Sequence, residues 1–418
     1  MTGRGFITDR SCALHAGRPG LTARLAILLA LLTTLFLSGC AHTTDFDDRV
    51  ELIVRPFRFS IGRWELENLP EITAPEGQPP ASPQDVMRYF DLISTAASLE
   101  SQAQAVNTGV ANGDLAQLAT RLKETLDEKN ALEPAVQATL TAQIKETLIS
   151  QDIYSLFGKR KLNLPPVNFK LDMPPHVLAI SPRDRIYLQE TITLQQDMTA
   201  AQMEAIELQV DALGVSSLVL DLGGFGGTYP TFVDNTSDIR FTVETAIHEW
   251  LHQYLAFKPL GFRYILDLLG IRPGADIAAM NETLADMVSK ELASVLLCHY
   301  YSQCEVGQAQ VSPDAFNFDQ EMKNARKTVD AYLGKGDVSG AERFMEQEKE
   351  YLLTKGYYIR KLNQAYFAFN DQYADTPAST NPIGGEMERL RSESASLKDF
   401  LDRVSRITGR PDLTASIK

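Results

Sequence analysis

Basic residues are in short supply: 40 Lys and Arg stand against 54 Asp and Glu, a formal charge of −14 over 418 residues. The cations are not gathered into a stripe that could neutralise phosphates, which excludes nucleic acid as a partner. Beyond the first forty residues the chain lacks any run of about twenty apolar residues, so nothing after that point can span a bilayer. The glycine cluster Gly223-Gly224-Phe225-Gly226-Gly227 lacks the lysine and the helix start that a phosphate loop needs, and reads as a flexible turn.

What is present begins with an ordinary hydrophobic content of 44%, enough for a real core in two or three compact units. Arg18 and Arg24 precede an apolar run, Leu25 to Leu37, too short for a comfortable transmembrane helix and suited to a signal peptide over residues 1–39. The run ends in Leu37-Ser38-Gly39-Cys40, which resembles the lipobox of bacterial lipoproteins. That resemblance implies cleavage before Cys40 and its acylation. The alternative is an ordinary secretory signal that contains a cysteine. Ala41 follows, with no Asp to signal inner-membrane retention, so in a Gram-negative cell the implied location is the outer membrane, facing the periplasm. Residues 1–39 hold four Arg and one Asp, so their removal takes the charge to −17, and the anchor is lipid rather than electrostatic. Cys12 leaves with the signal, and only Cys298 and Cys304 remain for the folded part. An oxidising compartment permits them to pair, provided that a helix ends between them.

The order of elements suggests an α+β fold. An N-terminal arm and Pro-rich linker occupy 40–83, with short apolar stretches between Glu51 and Leu69 suited to strands or a docking arm. A helical region follows over 84–165, opened by Ser82 as N-cap with Pro83 at the first helical position, and broken near Asn112-Gly113 into two to four helices. The remainder, 166–418, starts with strands at Val177 to Ile180 and Arg185 to Leu194, a helix from Ala200 to Leu213, a strand at Ser217 to Leu222 and a short strand within Thr228 to Val233.

The chemistry lies in an amphipathic helix, Thr242 to Phe257, that carries His248-Glu249-Trp250-Leu251-His252. A spacing of four places both imidazoles on one face, able to reach one tetrahedral Zn²⁺, with Glu249 beside them to accept a proton from water. A third ligand is needed. Asn281-Glu282-Thr283-Leu284-Ala285-Asp286 offers one on a following helix, Ala278 to Leu297, where Glu282 and Asp286 share a face. Taken singly, a Glu and an Asp at that spacing are usually a solvated surface.

Together the two segments resemble the gluzincin, thermolysin-like zinc metallopeptidases over about forty residues, His248 to Asp286. The resemblance implies zinc bound by His248, His252 and Glu282, with Glu249 as general base. It further implies that Asp286 hydrogen-bonds the far nitrogen of a ligand histidine, and that the 166–418 region is a zincin-like catalytic domain acting on peptide or protein. The stretch between His252 and Glu282 contains Pro259, Gly261, Gly270, Pro273 and Gly274 and reads as an inserted hairpin or loop. No Gly-x-Met-Glu-Asn segment is present, so aminopeptidase specificity has no motif. The run Leu362-Asn363-Gln364-Ala365-Tyr366 with the helical stretch after Tyr373, however, resembles the C-terminal end of a bacterial family described as aminopeptidases.

A second electrophile is expected from a tyrosine between Gly356 and Tyr373, with Tyr357, Tyr358 and Tyr366 as candidates and Asn363 one helical turn before Tyr366. Core packing is the competing role for each. His176 reads as a loop residue and His299 as core or surface. The competing functional class is a non-catalytic lipoprotein on a zincin scaffold that binds envelope proteins or peptides.

Overall fold

In the computed structural model, residues 45–68, 80–157, 160–268, 271–272, 274–304, 316–374, 376 and 379–417 are described. The signal segment, Cys40 and most of the Pro-rich linker lie outside them. Between Thr43 and the strands, the expected arm is helical rather than extended: α1 is Asp45–Val54, a 3₁₀ turn spans Arg55–Phe57, and α2 is Ile61–Asn68. Three aspartates in the first turn of α1 favour that helix end.

The helical region is one hairpin. Helix α3 is Pro83–Asn107 and α4 is Leu115–Ser150. Ser82 caps α3 in a full capping box with Asp85, and Pro83 sits at the first position, as the residue types demand. Pro134 lies inside α4 without ending it. Only the base of the hairpin is buried. In α4 the buried residues begin at Val136.

Eight short strands follow in chain order: β1 Ser155–Phe157, β2 Arg160–Leu162, β3 Phe169–Leu171, β4 His176–Pro182, β5 Glu190–Leu194, β6 Val215–Leu220, β7 Gly224–Phe225 and β8 Thr231–Val233. Helix α5, Ala200–Asp211, lies between β5 and β6. β1 and β2 form a hairpin; β5-β4-β6 is an antiparallel sheet; β3-β8-β7 pairs β3 parallel and β7 antiparallel to β8. The fold is therefore mixed and helix-rich, with small sheets.

Both margins of the β5-β4-β6 sheet are covered. Against β5, Phe59 N–H donates to the Thr193 carbonyl and Gln195 N–H to that of Phe57. Along β6, side chains take the place of a neighbouring strand: the Glu207 carboxylate accepts from Val219 N–H and that of Asp211 from Ser217 N–H. The Val219 carbonyl accepts from Arg360, and the Ser217 carbonyl from Lys361 and Asn363. Arg360 also forks onto Glu207, which is 3% exposed, at 2.6 and 3.1 Å. The backbone groups that Ser217 and Val219 present along this edge are met, which blocks pairing with another chain there.

The rest is helical: α6 Ile239–Leu255, α7 Pro259–Leu268, α8 Ala275–Tyr301, α9 Phe318–Leu333, α10 Val338–Thr354, α11 Gln364–Asn370, α12 Ile383–Ser392, α13 Leu397–Val404 and α14 Arg410–Ser416. The segment between His252 and Glu282, read as a loop, contains α7. Pro259 occupies its first position, where the missing N–H costs nothing. Gly261 serves close packing rather than a turn, since a Cβ there would lie 2.1 Å from the Leu255 carbonyl oxygen. At the end of α8, Ser302 turns into the left-handed region at φ 56°, and Cys298 and Cys304 are disulfide-bonded across that end.

Helices α6 and α8 sit at the centre of the main core. Ile247 and Leu251 of α6 and Leu284, Val288 and Leu292 of α8 pack with Tyr89, Leu140 and Ile144 of the hairpin and with Met387, Phe400 and Leu401 near the C-terminus. Each such fully buried side chain contributes about 1.5–3 kcal/mol. The helical region and the residues after 166 thus share one core. A second core joins α1 and α5 to β4, β5 and β6, and a third gathers the α9–α10 hairpin with Leu362 and Phe367.

Candidate metal centre

Asp238 caps α6 by accepting from Arg240 N–H, and the helix is buried on nearly all sides, as a helix lodged between other elements must be. That burial holds His248, Glu249 and Glu282 at the α6–α8 contact. The Nε2 atoms of His248 and His252 are 3.0 Å apart, and each is 3.3 Å from Oε2 of Glu282. Zinc bonded at ~2.1 Å with tetrahedral angles sets neighbouring ligand atoms about 3.3–3.4 Å apart. The triangle has the size of one face of that tetrahedron. Among the described residues this is the only group of three or more ligating side chains so disposed.

Each ligand has a partner behind it. The His248 Nδ1 faces Asp286 Oδ1 at 3.9 Å, an ion-pair distance rather than a hydrogen bond. Asp286 is held in turn by Lys290 at 2.6 Å. The carboxamide of Asn281 lies 2.8 Å from His252 Nδ1. A neutral imidazole that ligates through Nε2 carries its proton on Nδ1, so it needs an acceptor there. The buried Asn281 Oδ1 is without a partner, and turning the amide over meets both needs. The Tyr264 hydroxyl, from α7, donates to Glu282 Oε1 at 2.6 Å, which leaves Oε2 for the metal. Asn281 and Tyr264 were not singled out in the sequence. Asn281 had a signal, being adjacent to Glu282; Tyr264 had none, because its helix was not recognised.

The charges fit a cation. Burial opposes protonation of His248, but Glu282, Glu249 and Asp286 outweigh it and raise its pKa to about 9. Burial likewise opposes ionisation of Glu282, yet His252 and His248 hold its carboxyl well below the usual range. Burial pushes Glu249 up and the two histidines partly oppose this. Burial and the charge of Glu282 raise the Tyr264 hydroxyl well above its ordinary value. With Lys290 on Asp286, Glu249 and Glu282 are left facing the two imidazoles, and a divalent metal would balance these two carboxylates when the imidazoles are neutral ligands.

Glu249 itself stands against the glycine cluster. That segment is the edge strand β7 and the turn after it, not a free loop. β7 is paired to β8, and Gln253 of α6 donates to the Thr228 carbonyl at 3.0 Å. The Gly226 N–H faces the Glu249 carboxylate and favours its charged form.

The tyrosines are distributed differently from the expectation. Tyr357 stacks on Phe318, Tyr358 is 78% exposed, and Tyr366 packs on Phe367 and near Ala179 and Leu218 of the sheet. None of these contacts is with the ligand triad. Residues 357–363 are not helical, and Asn363 caps α11, its side chain accepting from Tyr366 N–H, instead of sharing a helical face with it. Tyr373, at the end of the same stretch, is the one brought to the centre: its ring centroid is 6.3 Å from that of His248. It is fixed there by Ala374 N–H, which donates to Thr283 Oγ1, next to Glu282, at 3.0 Å. His176 begins β4 rather than lying in a loop, its Nδ1 2.8 Å from Asp221. His299 packs on Tyr300 in the last turn of α8.

No family model, curated protein or solved structure matches this chain. The reading of the centre therefore rests on its own geometry.

Proposed function

We propose that the chain is a zinc-dependent peptidase with a zincin-like catalytic region, held at the cell envelope by lipid on Cys40. The observation that carries this is the triangle of His248 Nε2, His252 Nε2 and Glu282 Oε2 with sides of 3.0–3.3 Å, one residue away from a buried carboxylate. His248, His252 and Glu282 would hold the metal. Bound zinc supplies Lewis acidity, which makes water acidic near neutral pH and polarises a peptide carbonyl.

The side chains do the remainder. Glu249, made more basic by burial, takes a proton from the attacking water and hands it to the leaving amine as the C–N bond breaks. Tyr373, whose ring centroid lies 6.3 Å from that of His248, would be the donor for the negative charge that develops on the carbonyl oxygen. Asp286 and Asn281 keep the imidazoles aligned.

Two measurements test the proposal. Elemental analysis of the chain lacking residues 1–40 should find about one zinc per molecule, lost in His252→Ala and in Glu282→Ala; wild type without a transition metal ends the reading. Glu249→Gln should keep the metal and lower turnover of a diverse peptide library at least ~100-fold. Zinc and a bound peptide without turnover in either protein would favour a binding role instead.

A further inference from the structure

The cluster Gly223–Gly227 has no place in the expected ligand set, yet two of its glycines touch the base. A Cβ on Gly226 would lie 2.7 Å from Glu249 Oε2 and 3.2 Å from the Glu249 carbonyl oxygen. A Cβ on Gly224 would lie 2.6 Å from Glu249 Oε1 and 2.5 Å from Thr245 Cγ2. Neither glycine is there for a left-handed backbone, because neither has positive φ. What they provide is room. The strand cannot retreat to make that room another way, since Gly224 pairs with Val233 and Phe225 with Phe232. The turn cannot retreat either, tied to α6 through Gln253 and Thr228.

We propose that Gly226 is a positioning residue for Glu249: its bare Cα admits the carboxylate between strand and helix, and its N–H holds that carboxylate in one orientation. The inference rests on the peptidase reading for its consequence, though not for its geometry. With Oε2 against Gly226 and Oε1 against Gly224, the rotamer of the base is chosen before substrate arrives. Gly224 widens the same slot, but the branched, stiff Thr245 side chain is its nearest neighbour. Gly226 is therefore the cleaner probe, because its methyl group would meet the carboxylate first, at 2.7 Å, and the Glu249 carbonyl oxygen only at 3.2 Å.

The test is a cycle of Gly226→Ala and Glu249→Ala, in the chain lacking residues 1–40, which keeps every described element. With Glu249 present, Gly226→Ala should lower the thermal unfolding midpoint by a few degrees. With Glu249→Ala the carboxylate is gone and only the 3.2 Å contact with the carbonyl oxygen of residue 249 remains, so the same substitution should lower the midpoint clearly less. In turnover, Gly226→Ala should lose about 10- to 100-fold in kcat with KM and zinc content retained. Equal loss of midpoint in both backgrounds overturns the inference, as does a normal kcat. A wild-type protein that binds zinc and turns nothing over sinks the peptidase reading, and the midpoints then decide the inference by themselves.

Discussion

At the scale of the residue, the candidate metal ligands were legible as a group because their relation is local. A spacing of four on a helix fixes the relation of His248 to His252 whatever surrounds them. The support around them was less so. Tyr264 reaches Glu282 across a helix contact, and Tyr373 reaches His248 from the far end of the chain; no spacing encodes either approach. The two tyrosines are expected to behave differently. Tyr373→Phe should cost about ten- to a thousandfold in turnover with zinc affinity kept, since it removes a donor to developing charge. Tyr264→Phe should instead weaken zinc about 10- to 100-fold, because Glu282 loses the hydroxyl that orients it. Isothermal titration of the metal alongside peptide kinetics separates the pair; reversed effects would exchange their roles.

At the scale of the element, capping residues and β-branched runs gave α3, β4, β6 and α8 within a few residues, while two glycines misled. Gly261 and Gly226 were read as signals of loops. Both are packing devices, which a sequence cannot distinguish from flexibility without knowing what lies opposite. The α9–α10 hairpin carries a separate consequence. Glu348 of α10 is 7% exposed, and burial together with the neighbouring charge of Glu321 raises its pKa from 4.5 to about 7. A carboxyl with a raised folded pKa binds its proton more tightly in the native state, so it costs nothing below about pH 4.5. As pH climbs through 7 the folded state loses stability. The unfolding midpoint should therefore decline across that interval, and Glu348→Gln, which stays neutral, should flatten the decline. Thermal melts from pH 4 to 8 would show it, and an unchanged slope in the variant would place the titration elsewhere.

At the scale of the whole molecule, no described helix is long and apolar enough to cross a membrane, and the lipid anchor proposed on Cys40 has a test of its own. Cys40→Ser should abolish incorporation of a fatty-acid analogue; label persisting in that variant contradicts the lipobox. The overall architecture was only coarsely legible, since the helical hairpin and the residues after 166 were separable in sequence yet contribute to one core. The seal along β6 has its own bearing on how the protein is made. Its donors Arg360, Lys361 and Asn363 are synthesised some 140 residues after the strand they cover. Until they arrive, the nascent chain holds a half-finished sheet with an adhesive margin, and a growing population of such chains would zip to one another. Ribosome pausing or premature termination before that point would produce material that needs a holdase rather than a folding catalyst, which makes the last quarter of the polypeptide the guardian of the middle.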